Sequence, residues 1–391
     1  MGRIGRLRLA VLTLHPIHYQ AALWRRLSRE PDLEVMVFFT TAQGPDTADP
    51  QVGYGQPVEW GAPLLSGYRS QVLANLPLSR AHHSFFCRVN PGLFPVLVRG
   101  GFDALFVHSY HNFTQLAAII LASRLGLKVL IRSEPTLKLT VATARRRVKY
   151  WLLPWLYGQV DGCMAIGFLN RDYYRHHGVP EAKIFHMPYA VDNDYFFRQS
   201  EWWTPRRQEL KREYGLPPGP AVLYVGRFVA RKRVGDLIRA FAALAPPDGS
   251  LALVGSGEGL ARCQALAEEL GVANVHFLGF RSQTELPRLY ALADAFVLPG
   301  EEEHWGLVLN EAMCFGLPVM AADGVGAAPD LIAPGENGFI YPVGDIPALT
   351  QALAHCLAPG ARERLGQASL ARIRTWGLEE DVAALRQALH L

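Results

Sequence analysis

Along the chain, short unbroken runs of Val, Leu, Ile and Phe alternate with stretches in which apolar residues return every three or four positions. Residues 8–14, 34–40, 104–108 and 128–132 read as buried strands, and 21–29 and 114–125 carry helical spacing between them. Strand, helix, strand is the signature of a parallel sheet with crossover helices. The pattern restarts beyond Gly215: strands are predicted at 221–225, 250–255, 275–278, 295–298 and 318–321, with helices at 235–244, 260–270, 285–292 and 307–315. Between the two series, 191–220 holds Trp202-Trp203, a charged stretch and Leu216-Pro217-Pro218-Gly219-Pro220, the composition of a linker. The expected fold class is therefore α/β, with two Rossmann-like doubly wound domains facing a cleft at the carboxyl ends of their strands.

Length agrees with two domains, because 391 residues exceed what one ordinary core organises. Half of the residues are hydrophobic and 19% are charged, which excludes disorder, collagen and coiled coil. Five cysteines, odd in number and without a CxxC, argue against a disulfide framework or a structural zinc and point to a reducing, cytoplasmic setting. The opening MGRIGRLRLAVLTLHPIHY sets basic residues before an apolar run, as a signal peptide does. The run 9–14 is short for that purpose and His15-Pro16 replaces a small-residue cleavage site, so it reads as the first buried strand. No stretch has the roughly 18–20 uninterrupted apolar residues of a membrane span.

The net charge of +4 hides an asymmetry. Residues 1–190 hold 21 Lys+Arg against 11 Asp+Glu, and 191–391 hold 18 against 24. A basic first half suggests an anionic partner. Within it, Arg145-Arg146-Arg147-Val148-Lys149-Tyr150-Trp151 and the aromatic residues that follow to Tyr157 admit two readings. One is a peripheral contact with an anionic inner leaflet that presents a lipid-linked acceptor; the other is a solvated basic helix end running into a core helix. Nucleic-acid binding is not expected, since no recognisable module accompanies the charge.

Candidate chemistry concentrates in the second half. In Glu301-Glu302-Glu303-His304-Trp305-Gly306-Leu307-Val308-Leu309-Asn310-Glu311, a strand ends just before a loop and Gly306 opens a helix. Backbone amides of Trp305, Gly306, Leu307 and Val308 then form an anion site, while Glu303 and Glu311 can accept hydrogen bonds from sugar hydroxyls. A solvated acidic loop with a carboxylate favoured at the helix start is the plain alternative. After strand 221–225 comes Gly226-Arg227-Phe228-Val229-Ala230-Arg231-Lys232, whose guanidinium and ammonium suit a diphosphate. Both elements fall at strand carboxyl ends of one domain.

Taken in order, these elements resemble the GT-B nucleotide-sugar glycosyltransferases, in particular the retaining group known as family 4. Gly226, Arg227 and Lys232 match its glycine–arginine…lysine element, and Glu303 and Glu311 its E-x7-E motif. The stretches 253–257, 277–280 and 334–339 are similar to it as well, and 102–108 resembles its strand ending in a histidine at the cleft. The resemblance implies domains at 1–195 for the acceptor and 221–370 for the nucleotide sugar, a linker at 196–220, and a last segment, 371–391, returning to the first domain. It implies that Arg227 and Lys232 bind the donor diphosphate, Glu311 the ribose and Glu303 a sugar hydroxyl. The amides of Gly306, Leu307 and Val308 contact the sugar or phosphates, and His108 the sugar near the reacting carbon. Without the resemblance, His108 reads equally as a core or cap histidine. Phe280 is placed near the base.

The implied partners are a nucleotide-sugar donor and a glycan or lipid-linked acceptor, in surface polysaccharide building, with no metal and no cofactor. The rivals are a sugar-nucleotide epimerase of the same fold and a non-catalytic sugar-nucleotide binder. Two departures stand out. His15-Pro16-Ile17-His18-Tyr19 replaces the family's usual glycine pair after the first strand, and Asp330 stands near the place of a glutamate. Gly255-Ser256-Gly257 falls short of a dinucleotide fingerprint, and Asp192-Asn193-Asp194 reads as a turn and not a metal site.

Overall fold

The structure is a computed structural model that describes residues 5–42, 64–76, 78–79, 84–138 and 144–391, with side chains of the last stretch described from Trp151 onward. It divides into two compact units. The first takes the described residues up to Tyr189 together with Leu378–Leu391, and the second runs from Ala190 to Gly377.

In the first unit, β1 (Leu7–Thr13), β2 (Leu33–Phe39), β3 (Arg69–Val72), β4 (Ala104–His108), β5 (Lys128–Arg132), β6 (Gly162–Ala165) and β7 (Ile184–His186) form one sheet. Their order is β3-β2-β1-β4-β5-β6-β7, and every pairing is parallel. Alternate residues of β1 feed opposite cores. Ala10 and Leu12 pack with the helices Leu93–Arg99, Phe113–Arg124 and Phe168–His176, and Leu9 and Val11 with the helices His18–Leu27 and Leu378–Leu389. Cover on both faces explains why the strand is apolar throughout and not alternating. The predicted strands and helices of this half lie where the hydrophobic runs placed them. The edge strand β3 was not predicted, because its Arg-Ser-Gln-Val is polar and largely exposed.

The second unit repeats the scheme. β8 (Ala221–Val225), β9 (Ser250–Val254), β10 (Val275–Gly279), β11 (Ala295–Leu298), β12 (Val319–Ala322) and β13 (Gly338–Tyr341) pair in the order β10-β9-β8-β11-β12-β13, all parallel. In both sheets the order reverses beside the first strand, between β1 and β4 and between β8 and β11. Such a switch point opens a crevice beyond the carboxyl ends of the strands, because the connections leave in opposite directions there.

The 196–220 stretch, expected as a linker, holds helical structure instead. The helix Asn193–Trp203 runs into a 3-10 turn at Thr204–Arg206 and the helix Arg207–Glu213. Asp192, expected in a turn, is the N-cap of the first of these and accepts from the Tyr195 amide at 2.9 Å, with Asn193 and Asp194 opening the helix. At the chain's end, Asp381 in the helix Leu378–Leu389 is buried 3.5 Å from the buried Arg132 of β5, and Arg386 bonds Glu30 and Asp32.

Candidate active site

The second sheet's switch point gathers the acidic and basic elements read from the sequence. The loop after β8 and the loop after β9 are interleaved at backbone contact. The Phe228 amide donates to the Ser256 carbonyl at 2.9 Å, and the Gly259 amide to the Phe228 carbonyl at 2.8 Å. A Cβ at Gly255 would collide with the Gly226 carbonyl, and one at Gly257 with the Phe228 backbone. These glycines therefore serve close approach of one loop to another, the role that the incomplete dinucleotide fingerprint had obscured.

The loop after β11 is held on both sides. The Glu301 amide donates to the Arg231 carbonyl at 2.9 Å, and Arg231 Nη1 to the Glu302 carbonyl at 2.8 Å. On the far side the Gly326 amide donates to the Glu303 carbonyl at 2.9 Å and the Ala327 amide to the Trp305 carbonyl at 3.0 Å. Gly306 then takes a φ of +101°, and a Cβ there would meet the Leu298 side chain. The clamp brings Lys232 Nζ onto Glu303 Oε2 as an ion pair between two largely buried side chains. Burial, with the guanidinium groups of Arg231 and Arg227 nearby, pushes the Lys232 ammonium down from the ordinary lysine value. The carboxylate it touches acts the other way. Arg227 is half-buried, and its carbonyl accepts from the Tyr224 hydroxyl at 2.9 Å.

Gly306, Leu307 and Val308 make the N-cap and first turn of the helix Leu307–Cys314, where amides lack intrahelical acceptors. Trp305 was expected to contribute its amide. Its indole is buried, stacked on Trp376 at 5.8 Å between centroids, and donates to Asn310 Oδ1 at 3.0 Å. Glu311 is also buried. The Tyr290 hydroxyl donates to its Oε2 at 2.6 Å and Gln283 Nε2 to its Oε1 at 3.1 Å. Burial raises its carboxyl to about 7, and these two donors hold it from rising further. Phe280, partly exposed, begins the loop that carries Gln283 to Glu311. Gln283 and Tyr290 escaped the sequence reading, since a neutral amide and a core-like tyrosine give no signal of the carboxylate they hold.

His108 belongs to the first unit and closes β4 at that sheet's own switch point. Its ring lies edge-on to Trp24 at 5.1 Å and to Phe106 at 4.7 Å, and its Nδ1 faces Gln20 Nε2 at 3.3 Å. With Gln20 as donor, the ring proton sits on Nε2, a buried atom with no hydrogen-bond partner among the described residues. Burial and the Arg132 charge hold its pKa well below the ordinary histidine value, so the ring is a neutral donor. The next residue, Ser109, has a φ of +79°, strain of the kind found at working sites. The segments that follow β1, β5 and β7 bring together a second polar set. The Tyr189 hydroxyl bonds Tyr19 at 2.8 Å and donates to Glu134 Oε1 at 2.6 Å.

Of the basic-aromatic segment, the backbone of Ala144–Gly158 is helical, and the side chains of 145–150 lie outside the described residues. Trp151, Leu152 and Trp155 are exposed. No helix among the described residues is long and apolar enough to cross a membrane. Nor do three or more His, Cys, Asp or Glu side chains gather there in a metal-holding group.

Comparison with known proteins sets this geometry in a lineage. Residues 206–371 match the family model described as glycosyl transferases group 1. A GDP-mannose-dependent alpha-(1-6)-phosphatidylinositol monomannoside mannosyltransferase of Mycolicibacterium smegmatis is 35% identical over 51% of this chain and 53% of its own length. An alpha-D-kanosaminyltransferase of Streptomyces kanamyceticus is 32% identical over 48% and 49%. The chain thus spans about half the length of the curated relatives it matches. Among solved structures, Anabaena HepE in complex with UDP aligns with a TM-score of 0.74 at 16% identity, covering 99% of this chain and 100% of that one. A glycosyltransferase from Rickettsia africae aligns with a TM-score of 0.74 at 13% identity, covering 98% and 99%. Two parallel sheets, each with its order reversed beside its first strand, are thus shared with glycosyltransferases along nearly the whole chain. Residues 206–371 thus resemble glycosyl transferases group 1, and the chain as a whole shares the two-unit fold of the GT-B glycosyltransferase structures.

Proposed function

We propose that this protein is a retaining glycosyltransferase that moves a sugar from a nucleotide-sugar donor to a hydroxyl of a glycan or lipid-linked acceptor, in surface polysaccharide building. The observation that carries the reading is the meeting of Lys232, Glu303 and the Arg227 loop at the β8/β11 switch point, with Glu311 on the adjoining helix. The names of the relatives support a nucleotide-sugar donor, since one is GDP-mannose-dependent and a structural neighbour binds UDP.

In this reading Arg227 and Lys232 take the donor diphosphate and Glu311 the ribose. Glu303, released from Lys232, accepts from a sugar hydroxyl, and the amides of Gly306, Leu307 and Val308 face the sugar or phosphates. The bond from the anomeric carbon to the diphosphate oxygen breaks, and one from that carbon to the acceptor oxygen forms on the same face. The departing diphosphate takes the acceptor's proton. Fixed cations aimed at the growing phosphate charge supply the main stabilisation, which needs no metal ion. His108 is assigned as a neutral Nε2 donor to the donor sugar.

Lys232→Ala tests the cradle. Loss of one such contact costs about 2.7–4 kcal/mol of barrier, so transfer per folded molecule should fall by about 10²–10³-fold, with a lowered melting temperature because the Glu303 carboxylate loses its partner. Unchanged transfer would remove the assignment. Product analysis separates the rivals, because an epimerase would release free monosaccharide without an acceptor.

A further inference from the structure

We propose that the amino-terminal edge of the second sheet holds an anion site, suited to the phosphate group of a small soluble phosphate compound and separate from the carboxyl-end loops of that sheet. A cavity of about 270 Å³ opens there, lined by Arg207, Lys211, Asp294, Ala358, Arg362 and Glu363. Its place in the fold follows from its neighbours. Asp294 immediately precedes β11, and its Oδ2 receives the amide of Ala221, the first residue of β8, at 2.9 Å. The diphosphate cradle leaves the opposite ends of the same two strands.

Charge in this cavity is out of balance. Asp294 Oδ1 faces Arg207 Nη1 at 3.2 Å and Arg362 Nε at 3.4 Å, while Oδ2 also takes Lys211 Nζ at 2.8 Å. Ala221, Arg207 and Lys211 donate to this carboxylate, and Arg362 adds a third positive charge beside it without a hydrogen bond from its Nε among the described residues. Three cations thus share one carboxylate, and Glu363, the second acid of the lining, is exposed. Arg207 Nη2 is buried and has no hydrogen-bond partner among the described residues. Burial also pushes the Arg207 guanidinium down from the ordinary arginine value, against the pull of Asp294 and Glu363. Guanidinium forks match phosphate oxygens, and a phosphate would add negative charge where three cations share one carboxylate. The volume of about 270 Å³ accommodates a phosphate with a short substituent.

The test is a thermal-melt titration of the full chain with inorganic phosphate at constant ionic strength, chloride making up the balance. Saturable stabilisation is expected in the parent and in Arg227→Ala, and its loss in Arg362→Gln and Ala358→Glu. Ala358 is exposed, so the second variant adds a repelling charge to the lining without disturbing the core, and it decides the matter if Arg362→Gln fails to fold. Three results would overturn the proposal: no saturable shift, a shift untouched by Ala358→Glu, or a shift lost in Arg227→Ala and kept in Ala358→Glu. The last would put the phosphate in the diphosphate cradle.

Discussion

At the scale of single residues, Glu311 is the most informative group. Its carboxyl is raised by burial to about 7, whereas an unfolded glutamate titrates near 4.5. A group raised on folding contributes fully below its unfolded pKa, and that contribution is lost as pH climbs through the folded value. Ionising it by pH 8 therefore costs the empty protein on the order of 3 kcal/mol. Glu311→Gln should accordingly melt higher than the parent at pH 8, with the gap narrowing toward pH 5. In the role proposed for Glu311, ribose hydroxyls would donate to the charged carboxylate, so nucleotide affinity should weaken by up to about tenfold per unit as pH drops below 7. Calorimetric titration of nucleoside diphosphate at pH 6, 7 and 8 checks this, and a flat profile would remove Glu311 from the ribose. The sequence made Glu311 legible by its spacing from Glu303. It could not disclose Gln283 and Tyr290, whose importance lies in contacts closed by the fold over 28 and 21 residues.

At the scale of elements, the site rests on loops that touch through backbone. Gly257 has a φ of +147°, and a Cβ there would strike Phe228. Gly257→Ala should push the β9 loop off the β8 loop, lowering the apparent donor affinity at least tenfold with a smaller loss of melting temperature. Equal donor affinity in the two proteins would show that the loops have slack. Trp376 provides a second handle. Its stack on Trp305 braces the start of the helix Leu307–Cys314, so Trp376→Ala should destabilise by about 3–5 kcal/mol, read as a lowered denaturant midpoint. Strand positions were legible because parallel strands covered on both faces must be apolar. The polar edge strand β3 and the helices within 193–213 were not, since their residues carry Trp, Arg and Glu in a pattern that also describes a linker.

At the scale of the molecule, the end of the chain is part of the beginning. Val382, Ala384, Leu385, Ala388 and Leu389 lie in the same core as Leu9, Val11 and Trp24. Ending the chain at Gly377 would bare that core and leave Arg132 without the Asp381 carboxylate beside it. The shortened protein should aggregate or melt far lower, and Leu385→Asp should reproduce the defect by placing a charge at a fully buried position. A shortened chain that melted like the parent would show that the last helix adds nothing to the first unit. Fold class was readable throughout, because alternation of strand and helix is a property of the whole chain. The reversal of strand order was expected with the doubly wound class, whereas the hydrophobic pattern alone gives each strand's presence and not its neighbours.

The Lys232–Glu303 pair has a consequence for which molecules the resting protein admits. Each charge is already answered by the other, so a visitor that offers only an anion must strand a buried carboxylate, and one that offers only hydroxyls must strand an ammonium. Both are released together only by a compound that carries phosphate and sugar in one piece. Bare pyrophosphate and free monosaccharide, even mixed, should therefore compete far more weakly than the intact conjugate, and discrimination would begin before any bond is broken.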